Sequence, residues 1–159
     1  MAVKDFRGED NYYVNAVKNC IEVLKKFPEE NGRTIRNYYE EDVANPITPC
    51  FCVTIVGSKD EMRATQALSR MRYTINIGMQ VWYYHADLTE EVKRNEITYI
   101  LWEINDLLKR NVTLNGFVPK MGIEVSGVKW YPQIKGSRIL AGGVLEVVAK
   151  KLYSTMTTT

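Results

Sequence analysis

The sequence predicts an α+β fold: an antiparallel or mixed four-stranded sheet packed against two helices, in the order αββαββ. Three observations carry this. Residues 73–84 alternate apolar and polar over a long run. Residues 97–108 carry apolar side chains at three- and four-residue steps. Two more strand-like runs close the chain with no further helical pattern between them.

The alternating run puts Tyr73, Ile75, Ile77, Met79, Val81 and Tyr83 on one side. Arg72, Thr74, Asn76, Gln80 and Trp82 fall on the other. This period reads as a strand with one face on a core. Fully extended, residues 73–84 would span ~40 Å, more than a small domain requires. Overshooting strands suit contact with a neighbouring subunit, and Trp82 and Tyr84, on the less apolar side, are candidates for it.

His85-Ala86-Asp87 reads as a turn. A helix over 88–110 follows, about 34 Å long at 1.5 Å per residue. Its core stripe is Ile97, Ile100, Leu101, Ile104, Leu107 and Leu108. Asp87 with Glu90 forms a capping-box pattern. Glu90–Arg94 and Asp106–Arg110 are favourable i,i+4 pairs. Ile104 lies on the stripe, so a charge placed there should unfold the domain.

The first helix is expected over 9–27, with Tyr13, Ala16, Val17, Cys20, Ile21, Leu24 and Phe27 as its stripe and Pro28 as its stop. Residues 29–48 read as a polar surface excursion, pinned by Tyr38 and Tyr39. Cys50–Val56 is a β-branched strand. Gly57–Ser69 is a polar connection to the long strand, making an antiparallel pair with a long loop. After the long helix, Asn115-Gly116 marks a turn and Pro119 a break. Met121–Trp130 is the third strand, and 132–136 a loop. Arg138–Leu152 is the fourth strand. Gly142-Gly143 within it signals a bulge or a close backbone approach. Residues 153–159 read as a mobile, Thr-rich tail.

A chain of 159 residues is one domain's length and can bury a real core. A net charge of +2 is too small to argue for nucleic acid by bulk electrostatics. No apolar run reaches membrane-spanning length, and the N-terminus lacks the apolar core of a signal peptide. Three cysteines fit a reducing compartment better than a disulfide framework.

Catalytic signatures are sparse. A single histidine, His85, excludes paired-His metal sites and leaves little room for a Ser/His/Asp relay. Cys50 and Cys52 point to one face of a strand, but only Cys20 remains as a further thiol, so four-ligand zinc spacing is missing. They read as small buried side chains. Glu40, Glu41 and Asp42 form an acidic cluster in a polar loop, which reads as solvated. Gly57-Ser58-Lys59 lacks the glycine-rich run of a phosphate loop. Lys59, Arg63, Arg70 and Arg72 lie close in sequence, yet Asp60 and Glu61 interrupt them. The expectation is a non-enzyme without cofactor or metal. A small cytoplasmic enzyme or ligand-binding domain and a nucleic-acid-binding module are the alternatives.

One pattern spans most of the chain. A strand entered through Arg70-Met-Arg-Tyr-Thr-Ile-Asn-Ile leads to an amphipathic helix. The loop Asn111-Val-Thr-Leu-Asn-Gly-Phe-Val follows it. The last strand opens with Gly136-Ser-Arg-Ile-Leu-Ala-Gly-Gly-Val-Leu-Glu-Val. From Pro49 to Leu152 this layout resembles the tail terminator (tail completion, tail-to-head joining) proteins of long-tailed bacteriophages. The resemblance implies a structural virion protein: a homohexameric ring that caps the tail tube, ends its elongation and joins the tail to the head connector. Its partners would be copies of itself, the tail tube protein, a head-completion or connector protein, and a sheath protein where the tail contracts. It would touch genomic DNA transiently and non-specifically, and no membrane. It would assemble in the host bacterial cytoplasm and reside in the neck of the virion. Another neck component, a head-closure or adaptor protein, or a tube-like subunit, is the nearest alternative. In this picture Arg70, Arg72, Trp82, Tyr84, Arg138, Leu152 and Tyr153 are the expected contacts with subunits or partners. Lys59 and Arg63 would face a DNA-conducting lumen. Residues 29–44 have no counterpart in the pattern.

Overall fold

Helix α1 runs from Tyr12 to Leu24 in the computed structural model, which describes residues 11–63, 70–89, 94–130 and 132–156. Asn11 caps it: its side-chain oxygen accepts from the Val14 amide at 3.2 Å. The helix ends at Leu24, before the position expected. Pro28 does not stop it but sits in the first turn of a short second helix, α2 (Phe27–Asn31). A proline fits there because that amide has no intrahelical partner to lose. Gly32, in the left-handed region, closes α2.

Among the described residues the sheet is mixed and has six strands: β1 (Asn37–Tyr39), β2 (Cys50–Arg63), β3 (Arg70–Asp87), β4 (Ile123–Trp130), β5 (Gln133–Lys135) and β6 (Arg138–Met156). Helix α3 (Arg94–Arg110) lies between β3 and β4 in the chain. The spatial order is β1-β2-β3-β6-β4, with β5 also paired to β6. Only β1 and β2 run parallel. The α+β class stands, whereas the four-strand count and the αββαββ order do not. Two three-residue strands, β1 and β5, are too short to leave a periodic signal in the sequence.

The strands are also longer than expected. β2 does not end at Val56; Gly57–Arg63 continues it, paired with Arg72–Gly78. A bulge between Ile55 and Gly57 shifts the register, so the polar stretch stays in the ladder while its alternation is reset. Of the expected Gly57–Ser69 connection, only 64–69 falls outside the described residues. β6 runs past Leu152 to Met156, opposite Arg70–Tyr73. The expected mobile tail is therefore strand through Met156. Main-chain pairing holds it, and pairing is indifferent to the polar side chains that suggested a tail.

His85 does not form a turn. It lies in β3 at a bulge between Tyr84 and Ala86. Asp87 is likewise a strand residue, and it bonds Arg138 rather than capping α3. Glu90, its expected capping partner, lies outside the described residues, and α3 is described from Arg94 onward.

Both long helices cover one sheet face. Ala16, Val17, Cys20, Ile21 and Leu24 of α1 meet Phe51 and Val53 of β2 and the Ile75-to-Tyr83 row of β3. The α3 stripe, from Ile97 to Leu108, is fully or nearly fully buried against the same face, as its spacing predicted. Polar Asn15, Asn19 and Asn105 are buried with this core. Asn19 donates to the Asn15 carbonyl at 2.7 Å and accepts from Asn115 at 3.0 Å, tying α1 to the loop after α3.

The opposite face is covered near one end by the excursion. After β1 the chain crosses beneath the sheet, and Val43 and Tyr39 pack with Cys50, Cys52, Tyr84 and Leu140. The stretch over 40–49 is thus a strap across the second sheet face. Gly142 and Gly143 mark the close approach that the sequence signalled. A methyl group on Gly142 would stand 1.9 Å from the Tyr83 carbonyl oxygen, and one on Gly143 2.6 Å from Leu101.

Candidate assembly surface

The sequence-predicted contact residues fall into two groups at opposite ends of β3. Lys59, Arg63, Arg70, Arg72, Leu152 and Tyr153 belong to one end, on three adjacent strands. Their backbones are in register: Arg63 faces Arg72, which faces Ser154; Tyr73 faces Tyr153; Thr74 faces Leu152. Trp82, Tyr84 and Arg138 belong to the other. From Arg72 to Trp82 is about 33 Å of extended strand.

The second group is engaged within the chain. Tyr84 is 1 % exposed and lies under the strap, which removes it from the expected contact surface. Its hydroxyl donates to Asp42 at 3.1 Å. Placement on the polar side of an alternating strand did not expose it, because a second layer covers that side. Trp82 is half-buried and stacks on Tyr84 with ring centroids 6.0 Å apart. Arg138 holds the strap down: it bonds Asp87 at 2.6–2.8 Å, Asn45 at 3.1 Å and the Pro46 carbonyl at 2.8 Å. Asp42 also pairs with the buried Lys135 of β5. Of the acidic cluster, then, Asp42 is a structural anchor and Glu40 pairs with Lys18 at 3.0 Å.

The thiols are buried. Burial pushes the Cys20 thiol up to about 12. Cys50 donates to Cys52, which raises Cys50 and lowers Cys52, with burial adding to the rise at Cys50. His85 Nδ1 lies 2.8 Å from the Tyr83 hydroxyl, and burial raises that phenol. Among the described residues no three of His, Cys, Asp and Glu stand close enough to hold a metal ion. No described helix is long and apolar enough to cross a membrane.

The first group sits on a blade. β2, β3 and β6 run on together beyond the part of the sheet that the helices and strap cover. Leu152 is exposed here, and Ile55 and Val56 are exposed further back on β2, where Ile55 pairs with the buried Met79. β1 pairs β2 only at Cys50–Cys52, so the outer edge of β2 from Val53 on has no strand beside it among the described residues. On the other side, β4 pairs β6 only as far as Ala149, with one more bond from the Lys150 amide to the Gly122 carbonyl at 2.6 Å. Among the described residues the outer edge of β6 beyond that point is open too. A shallow groove of about 230 Å³, lined by Tyr13, Val14, Val17, Glu40 and Ile55, runs between α1 and the open β2 edge.

Sequence reasoning passed over one exposed pair. Tyr99 and Trp102 are 68 % and 67 % exposed on the outer side of α3. Their signal was available, since both fall between the members of the core stripe, one turn apart. No family model matches this chain, and no curated protein matches it.

Proposed function

We propose that this chain is a structural assembly protein of the bacteriophage tail-terminator kind. Copies of it close into a ring on the end of a tail tube, stop its growth and offer a surface to the head connector. The observation that carries this reading is the three-stranded blade whose outer edges are both open among the described residues. A monomer with no partner usually shortens, covers or buries such edges. Two different open edges on one subunit suit a head-to-tail contact, which closes a ring when the rotation allows it.

In this picture Lys59 and the strand positions of Arg63, Arg70 and Arg72 gather at one end of the blade, where basic residues suit passing phosphates. The ring contacts the tube protein, the head-completion protein and, in a contractile tail, the sheath.

The test is mass by light scattering across concentration, with negative-stain imaging of the free chain and of the chain mixed with a tail tube. Closed rings, alone or on tube ends, support the reading. A chain that forms no ring alone and neither caps nor arrests a growing tube overturns it.

A further inference from the structure

We infer that copies of this chain join by pairing the open edge of β2 in one copy with the open edge of β6 in the next, in parallel. The inference rests on the self-assembly part of the function proposed above, and it names the seam.

The alternation of the ladder identifies which main-chain groups are free. The Arg36 amide bonds the Pro49 carbonyl on the β1 side, at 2.7 Å. Counting in twos along β2, Val53 and Ile55 also turn their amide and carbonyl outward. The bulge between Ile55 and Gly57 shifts the count by one, so Ser58, Asp60 and Met62 face outward beyond it. On β6 the Lys150 amide points outward to Gly122, so Leu152, Ser154 and Met156 do the same. Each edge therefore offers a run of donors and acceptors at the spacing a new strand needs. β2 and β6 are both antiparallel to β3 and so run in the same direction. Rotation about an axis along the strands preserves that direction, which makes the seam parallel.

Charge selects the partner. Asp60 stands opposite Ile75, and Ile75 opposite Lys151, so an acid and a base close the two ends of one row across the three strands, at the rim of the helix-covered core. Among the described residues neither forms an ion pair. Asp60 is exposed. The Lys151 ammonium is part-buried, bonded to the Phe117 carbonyl at 2.7 Å and set 4.9 Å over the Phe117 ring. Burial lowers its pKa. Side by side at one level, the Asp60 of one copy meets the Lys151 of the next. The bulge and the charges blunt indiscriminate pairing of a long edge, while matched opposite charges admit one partner.

Proline at an outward-facing position removes a donor from the seam without touching the hairpin inside the chain. Asp60→Pro disables the β2 edge and Leu152→Pro the β6 edge. Light scattering across concentration is run on the unmodified chain, on each variant and on their equimolar mixture, with circular dichroism as the check on folding. The unmodified chain should form higher oligomers. Each variant should need at least about tenfold higher concentration to associate. The mixture should stop at dimers, because one intact β2 edge and one intact β6 edge remain. Should a proline variant lose its fold, Asp60→Lys takes its place and should weaken association by raising salt-dependent repulsion at Lys151. Oligomers that survive both edge variants overturn the seam and leave the ring reading standing. An unmodified chain that stays monomeric at every concentration overturns the seam, and the ring reading then answers to the tube experiment alone.

Discussion

The Tyr84 hydroxyl donates to the Asp42 carboxylate at 3.1 Å, across 42 positions of sequence. That bond, with the ion pair from Lys135, fastens the 40–49 strap to the sheet face away from the helices. The two members of the ion pair are not equivalent. The Lys135 side chain is 9 % exposed and that of Asp42 40 %. Removing Asp42 strands a buried ammonium and a buried phenol; removing Lys135 leaves a carboxylate that water and Tyr84 still serve. Asp42→Ala should therefore cost about 2–3 kcal/mol and Lys135→Met about 1 kcal/mol or less, by urea unfolding. Equal costs would mean that the strap is held elsewhere.

Ile104 is fully buried on the α3 stripe. Ile104→Asp should leave no cooperative melt, because a buried unpaired carboxylate exceeds what a marginally stable domain tolerates. Ile104→Ala should fold and lose about 2–5 kcal/mol. A soluble Ile104→Asp chain with a sharp transition would show the stripe to be wrongly assigned.

Two glycines in the sheet should respond in opposite ways. Gly142→Ala drives a methyl group into the Tyr83 backbone and should cost about 3 kcal/mol or more, since a strand cannot shift without its neighbours. At Gly57 a methyl group meets nothing within 4 Å, so Gly57→Ala should change stability by about 0.5 kcal/mol or less. Thermal melts of the two variants make the comparison.

Alkaline sensitivity should report on the core. Burial holds the Cys20 thiol neutral up to about 12, against 9.0 for a free thiol. A raised pKa means that the folded state keeps its proton while the unfolded state loses it. The associated stability is whole below about pH 9 and drains away as pH rises toward 12, by ~4 kcal/mol in all. Tyr83 and Tyr84, also raised mainly by burial, add to the decline at higher pH. Urea midpoints should fall steadily above about pH 9, and Cys20→Ala should flatten the first part of that fall. A midpoint independent of pH in this range would place Cys20 in contact with solvent.

Removal of residues 153–159 tests the end of the blade. Residues 153–156 pair with Arg70–Tyr73, outside the helix-covered core. The shortened chain should melt within a few degrees of the full one, yet assemble poorly, by light scattering. Normal assembly would remove this end from the contact surface.

By itself the sequence determined the helix-covered core. The stripe of α3, the Ile75-to-Tyr83 row and the close approach at Gly142-Gly143 were all legible, because burial on one face imposes a period that survives any tertiary context. Only the tertiary structure decided the rest. Gly57–Arg63 and Tyr153–Met156 look like loop and tail, yet main-chain pairing with β3 holds both as strand, and that pairing requires no apolar face. Tyr84 looks exposed because the strap that buries it comes from 42 residues away. Lys59, Arg72 and Leu152 share one blade end because three strands carry them there in register. Periodicity reports one chain segment against one environment. Which distant segment supplies that environment is settled only when the layers pack.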